Sequence, residues 1–437
     1  MHEAIARRTA SLALLGLVVV AGPATARAGT AAAPTFRGPA ETVVLISIDG
    51  LRWDLPDRAG ATHLQRMARD GVAAALQPPF PSNTFPAHAT LATGCHPDRH
   101  GIVNNDFFDR RRGVFRMDDD PVWLLSEPLW ITAERQGVRT AVYHWPFSHG
   151  SWRRSAAGRS RVFTNKTLDA EKAQTLVEWL RLPDPERPRL ILSYWHGPDR
   201  AGHEEGPDGE GVLRRVRQTD ALLGQVLREV SRSGRRMALV VVSDHGMAPV
   251  SREIRIDRLL AGTGGVRVHA SGRTANVYCV ETSSCRRAEA LLRELEGASV
   301  WVRADLPTAL RCDHPTRTGD LVVIAPTGAY FADGPSDRAP ARGMHGDRPE
   351  VPEMRGVFRG WGAGLRRGAR REVLEAIDVA PLICFLLGIA PADGIDGRLP
   401  SDLVETVRAR HPPAAPGSRA PQAPAPPGPG RDEAGFP

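Results

Sequence analysis

An α/β fold with a largely parallel central sheet is predicted by two features of this sequence. Short apolar runs recur along the chain, and apolar residues at helical spacing fill the intervals between them. The first run is "TVVLISI" (42–48), followed by "TAVYHW" (140–145), "RLILSYW" (189–195) and "MALVVVS" (237–243). Each is bounded by turn-forming residues and is rich in β-branched or aromatic side chains, as strands buried on both faces are.

Between the last two runs, "GVLRRVRQTDALLGQVLREV" places Val212, Val216, Leu223, Val226, Leu227 and Val230 roughly on one helical stripe. Residues 249–340 are richer in turns and short strands ("TANVYCVE", "LVVIAPTGAYF") and are expected to form an inserted cap. A further helix should begin inside "FPSNTFPAHATLATG" (80–94), where Ser82, Asn83 and Thr84 are all N-cap types and Pro86 suits a first turn. Thr84 can be read there as a cap, or as a nucleophile beside a phosphate held at the helix N-terminus.

With 437 residues, 41% of them hydrophobic, the chain can bury a large core in one elaborate domain or two ordinary ones. The formal charge of +7 comes almost wholly from arginine, with Lys166 and Lys172 as the lysines. Those arginines are scattered among Asp and Glu, so no specific nucleic-acid complex is expected. Residues 1–28 combine Arg7 and Arg8, the apolar run "ASLALLGLVVVAG" and small residues near Ala26 and Ala28. They are expected to be a signal peptide, which makes the protein exported, periplasmic or secreted, with no transmembrane anchor beyond that segment. A linker (29–40), a folded domain (41–404) and a Pro-rich tail (405–437) should follow. Among the five cysteines, Cys279 is close enough to Cys285 for a disulfide, with Cys312 as the other candidate, while Cys95 and Cys384 read as buried thiols.

The chemistry lies just beyond the apolar runs. The first ends in Asp49-Gly50, the third leads to Pro198-Asp199 and His203, and the fourth ends in Ser243-Asp244-His245-Gly246. Parallel sheets gather their sites outside the carboxyl ends of the strands, so three aspartates are delivered toward one edge. Three carboxylates held together repel one another unless cations intervene, and a mixed Asp/His set suits zinc better than calcium or magnesium. His203 follows Asp199 by one helical turn, and His345 sits in the glycine-flanked "GMHG".

In that order, "VVLISIDGLRWD", "PSNTFPAHATLATGCHPDRHGIVNN", "YWHGPDRAGH", "VVVSDHGM" and "GMHGDRPEVPEMRGVFRGWG" resemble the nucleotide pyrophosphatase/phosphodiesterase family of the alkaline phosphatase superfamily, over residues 41–400. The resemblance implies an alkaline phosphatase-like fold and a two-zinc hydrolase of small phosphodiester substrates such as nucleotides. It implies Asp49, Thr84, Asp244 and His245 around one Zn2+ and Asp199, His203 and His345 around the other. Thr84 would be the nucleophile, forming a covalent phosphothreonine, and Asn105 would bind a non-bridging phosphate oxygen. Phe85 and Tyr194 match positions that form an aromatic slot for a nucleobase.

"CHPDR" (95–99) also satisfies a sulfatase-type pattern, but Cys95 follows the Thr-Gly that a sulfatase cysteine precedes by nine residues, so that match is accidental. The sequence departs from the family at His196-Gly197, at Phe147 and at Asn83, where several vertebrate members carry lysine. These departures leave alkyl or phospholipid head-group diesters open. A phosphomonoesterase would need an extra cation at the phosphate, for which Arg52 or Arg99 are candidates better placed at the surface. A phosphotransferase of the membrane-linked type is disfavoured by the lack of several transmembrane helices, and a non-catalytic binding module by the complete ligand set.

Overall fold

The computed structural model describes residues 38–334 and 339–405. The expected signal peptide, most of the linker and all but the first residue of the Pro-rich tail lie outside the described residues. The chain contributes β1 (Thr42–Ile48), β2 (Val72–Gln77), β3 (Thr140–Tyr143), β4 (Arg159–Arg161), β5 (Leu190–Trp195) and β6 (Met237–Val242) to a central sheet. It then leaves for a second sheet of β7 (Val266–Ser271), β8 (Thr274–Cys279), β9 (Ser299–Val302) and β10 (Leu321–Ile324). It returns as β11 (Gly356–Gly362) and β12 (Ala369–Glu375).

The central order is β12-β2-β11-β6-β1-β5-β3-β4, parallel except at β11, which runs antiparallel to β2 and β6. The four predicted runs are therefore the four middle parallel strands. The strand beginning at Thr140 ends two residues earlier than expected, because His144 takes a positive φ of 62° that breaks the extended backbone. Strands β2, β11 and β12 carry no such signal: "VAAALQ" is alanine-rich, "GVFRGWG" holds three glycines and "ARREVLE" is mostly charged. All are poor strand formers in isolation and are recruited by their neighbours.

Alternation along β1 explains the layering. Val43 and Leu45 enter one apolar core, Val44 and Ile46 the other, so both faces of the sheet are covered. The helices that matter here are α1 (Thr84–Thr93), α2 (Asp169–Arg181), α3 (Asp199–Glu205), α4 (Glu210–Arg232) and α5 (Val379–Leu387). The stripe predicted on α4 is the face it buries, and α1 and α5 close the opposite layer. At about 25 cal/mol per Å2 of apolar surface, a fully buried Val or Leu on such a stripe contributes roughly 1.5–3 kcal/mol.

The second sheet, β7-β8-β10-β9, is antiparallel throughout and has its own apolar core around Val277, Leu292 and Val323. It falls within the expected insertion. Cys279 and Cys285 form the disulfide there, and Cys95, Cys312 and Cys384 are buried free thiols. No helix among the described residues is long and apolar enough to cross a membrane.

Candidate active site

Strand β1 lies between β5 and β6 in parallel register, with Ser47 opposite both Tyr194 and Val242. The three strands therefore end together. Asp49 N donates to Trp195 O (3.0 Å), and Gly50 N donates to Asp244 Oδ1 (3.2 Å). Gly50 has φ +66°, and a Cβ there would stand 2.8 Å from the Asp199 backbone, so only glycine lets the end of β1 approach the start of α3 this closely.

All seven expected metal-site residues converge here. His245 Nε2 is 3.2 Å from Thr84 Oγ1, 3.4 Å from Asp49 Oδ1 and 3.3 Å from Asp244 Oδ2. His203 Nε2 is 3.4 Å from Asp199 Oδ1, and His345 Nε2 is 3.9 Å from the same oxygen. The rings of His245 and His345 stack with centroids 3.7 Å apart. Donor atoms of Asp49, Asp244 and His245 lie within 4.8 Å of one another, as do those of Asp199, His245 and His345, so His245 stands between the two groups.

Two features fit this donor set to cations. Asp49 Oδ1, Asp199 Oδ1 and Asp244 Oδ2 are buried and make no hydrogen bond among the described residues, which would cost several kcal/mol each without a cation. Each histidine also has its Nδ1 occupied elsewhere: His203 at Gly343 O (2.8 Å), His245 at Gly246 O (2.9 Å) and His345 at Asn83 Oδ1 (2.7 Å). An Nδ1–H bonded outward leaves Nε2 with its lone pair toward the cluster, the arrangement that ligating imidazoles need. Burial, with Asp244 and Asp199 alongside, pushes the Asp49 carboxyl well above its ordinary value. Burial and the neighbouring His245 and His203 hold His345 well below its own. The first shift describes crowded carboxylates that need a counter-ion, and the second an imidazole held in its neutral, metal-ligating form.

Thr84 is the first residue of α1, not its cap. The N-cap is Asn83, and its side chain makes no capping bond. Ser82 Oγ donates to Asp347 O (2.9 Å), and Thr84 Oγ1 faces His245. The hydroxyl thus stands at the positive end of a ten-residue helix beside the donor cluster. Asn105 Oδ1 accepts from Phe85 N (2.8 Å), which turns its Nδ2 the other way, without an acceptor among the described residues. One helical turn beyond Thr84, buried His88 places Nδ1 2.8 Å from Thr84 O and 3.6 Å from Asp244 Oδ2. Its spacing from Thr84 was the available signal for a residue that sequence reasoning missed.

The aromatic positions divide. Phe85 is partly exposed and meets Phe115 and Phe147 edge-on, with centroids 5.7 and 5.5 Å away. Phe147 is buried behind it. Tyr194 is buried, and its hydroxyl donates to Asp49 Oδ2 (2.6 Å); the partly exposed face near it is made by Phe163 and His196. His196 is held by Asp169 and by Lys172, whose Nζ is 3.1 Å from both Asp169 Oδ1 and His196 Nδ1. Arg52 departs from its expected surface position: it is 7% exposed, because Asp54, Asp208 in the loop before α4 and the Met247 carbonyl all bind its guanidinium. Arg99 is exposed, as expected, and pairs with Asp396 at 3.1 Å.

The sequence model of type I phosphodiesterase / nucleotide pyrophosphatase matches residues 43–348. An uncharacterized pyrophosphatase/phosphodiesterase of Schizosaccharomyces pombe is 29% identical over 390 residues, covering 82% of this chain and 80% of its own. Human ectonucleotide pyrophosphatase/phosphodiesterase family member 7 is 28% identical over 407 residues, covering 85% of each. Among solved structures, murine ectonucleotide pyrophosphatase/phosphodiesterase 5, as an inactive threonine-to-alanine variant in complex with AMP, superposes with a TM-score of 0.77 at 26% identity over 84% of this chain and 100% of that one. The human protein gives a TM-score of 0.78 at 25% identity, with the same coverage. With the family match spanning most of the folded region and the strand-end cluster at its centre, the chain belongs to the type I phosphodiesterase / nucleotide pyrophosphatase family, on an alkaline phosphatase-like fold.

Proposed function

We propose that this protein is an exported two-zinc phosphodiesterase that hydrolyses nucleotide-type diesters through a covalent phosphothreonine at Thr84. The observation that carries the reading is Thr84 Oγ1, 3.2 Å from His245 Nε2 at a helix N-terminus, among three carboxylates with unpaired buried oxygens. Asp49, Thr84, Asp244 and His245 would hold one zinc and Asp199, His203 and His345 the other. When bound, the two ions would favour the alkoxide of Thr84 and stabilise the leaving oxygen.

The protein's own groups do the rest. Thr84 Oγ1 forms the bond to phosphorus as the ester bond opposite breaks, and the leaving group departs as an alcohol or phosphate. Asn105 Nδ2 binds a non-bridging oxygen, its amide orientation fixed by Phe85 N–H. Water then cleaves the Oγ1–P bond and restores the threonine. Phe85 and the face that Phe163 and His196 make beside Tyr194 take the nucleobase, in keeping with the AMP bound by the solved relative. Export is supported by the charged and apolar segments of residues 1–28 and by the Cys279–Cys285 disulfide.

Hydrolysis of para-nitrophenyl thymidine monophosphate against para-nitrophenyl phosphate, by the zinc-loaded enzyme and by Thr84→Ala, tests the reading. A Thr84-dependent preference for the diester is expected. Preference for the monoester moves the activity to a phosphatase, and turnover that survives Thr84→Ala removes the covalent step.

A further inference from the structure

We propose that Asn83 is a positioning residue for the imidazole of His345, and that the turn at Gly272 in the inserted sheet clamps the backbone on which that imidazole sits. The inference rests on the proposed dinuclear site and concerns how its second half is kept in place. Asn83 is fully buried, and every polar atom of its amide is engaged. Nδ2 donates to Asn104 Oδ1 (2.7 Å) and to Ser271 O (3.3 Å), which fixes the amide so that Oδ1 accepts from His345 Nδ1 (2.7 Å). A secondary acceptor, Ser82 O, lies 3.2 Å from the same nitrogen.

His203 and His245 are oriented by main-chain carbonyls, which no substitution removes. Among the three, His345 is the imidazole whose closest outward partner is a side chain, and that side chain immediately precedes the nucleophile. Capping does not explain Asn83, since its side chain makes no bond to the helix it precedes.

The inserted sheet holds the other side of the loop. Gly272, at φ +62°, lies so near His345 O that an added Cβ would stand 2.3 Å from it. Arg273 N donates to His345 O (3.0 Å), and Thr274 Oγ1 donates to Gly346 O. The buried Arg273 guanidinium binds Asp347 Oδ2 (2.8 Å), Ala329 O (3.1 Å) and Ala325 O (3.0 Å). The turn between β7 and β8 thus touches both Asn83 and the His345 loop, and ties the insertion to the metal site directly.

Equilibrium competition for zinc between the protein and a chromogenic chelator tests this without substrate. For Asn83→Leu, one of two zinc ions is expected to weaken by about 10–100-fold while the other changes little, as when an outer hydrogen-bond partner of a ligand is removed. In a His345→Ala background, Asn83→Leu should cause no further loss. Asn83→Ser, too short to reach Nδ1, repeats the experiment should the leucine variant not fold, with melting of the metal-free proteins as the folding control. Two zinc ions bound as tightly by Asn83→Leu or Asn83→Ser as by the parent overturn the proposal, as does equal weakening in the His345→Ala background. A parent that binds two zinc ions but turns over no diester refutes the proposed activity instead and leaves this comparison readable.

Discussion

The phenol of Tyr194 donates a 2.6 Å hydrogen bond to Asp49 Oδ2, leaving Oδ1 as the carboxylate's unpaired oxygen, directed at His245. The Tyr194 hydroxyl therefore selects which oxygen of Asp49 faces the cluster. Tyr194→Phe keeps the ring and removes that bond. Zinc affinity is expected to fall by about 10–100-fold with the fold intact, read by chelator competition beside circular dichroism. A variant with unchanged affinity would reduce Tyr194 to packing.

Asn105 is expected to act on charge that develops in the transition state. Asn105→Ala should lower kcat for a diester by roughly 10²-fold, with KM changed much less, since the amide is preorganised by Phe85 N–H at 2.8 Å. Steady-state kinetics at saturating zinc would show it. A rise in KM alone would assign Asn105 to ground-state binding.

Removing metal should destabilise the protein as well as silence it. Burial and mutual repulsion raise the Asp49 carboxyl well above its ordinary value, a cost that bound cations offset. An ion present at 100 times its dissociation constant contributes about 2.7 kcal/mol per site, so two sites correspond to a fall on the order of 10 °C in Tm upon chelation. Scanning calorimetry with and without chelator, then with zinc restored, measures it. An unchanged Tm would contradict occupancy of this cluster.

Asp169 gives the protein an acid-sensitive joint beneath His196. Burial alone would raise its carboxyl, but hydrogen bonds from His196 and the charge of Lys172 outweigh it and hold the group well below the ordinary carboxylate range. A folded-state value below the unfolded one, about 3.9, contributes stability that is complete above roughly pH 4 and is lost as pH falls through the folded value. Asp169→Asn also leaves the buried Lys172 cation uncompensated, at a cost of about 3–5 kcal/mol near neutrality. Urea midpoints at pH 7, 4 and 3 should show the gap between parent and variant narrowing toward acid; a gap independent of pH would refute the assignment.

Much of the site was legible because its residues are tied to local signals. Asp49, Asp199 and Asp244 follow strong strand runs, His203 follows Asp199 by one turn and Thr84 opens a helix. The less visible parts have no periodicity of their own. Strand β11 pairs antiparallel through three glycines, and Arg52 is buried where Asp208 and the Met247 carbonyl, both over 150 residues away in sequence, meet it. Phe147, a departure from the family in sequence, turns out to back Phe85.

By itself, then, the sequence determined that three parallel strands would deliver carboxylates to one edge, since a buried parallel sheet requires continuous apolar runs and its strand ends share a side. Only the tertiary structure decided which oxygen of Asp49 is free, that Cys279 pairs with Cys285 while Cys312 stays reduced, and that Asn83 reaches His345 across 262 residues of chain. The physical reason is that such contacts depend on direction and distance in the folded chain. A hydrogen bond between residues far apart in sequence is set by where sheet order and loop closure bring them, and neither residue type nor spacing encodes that pairing.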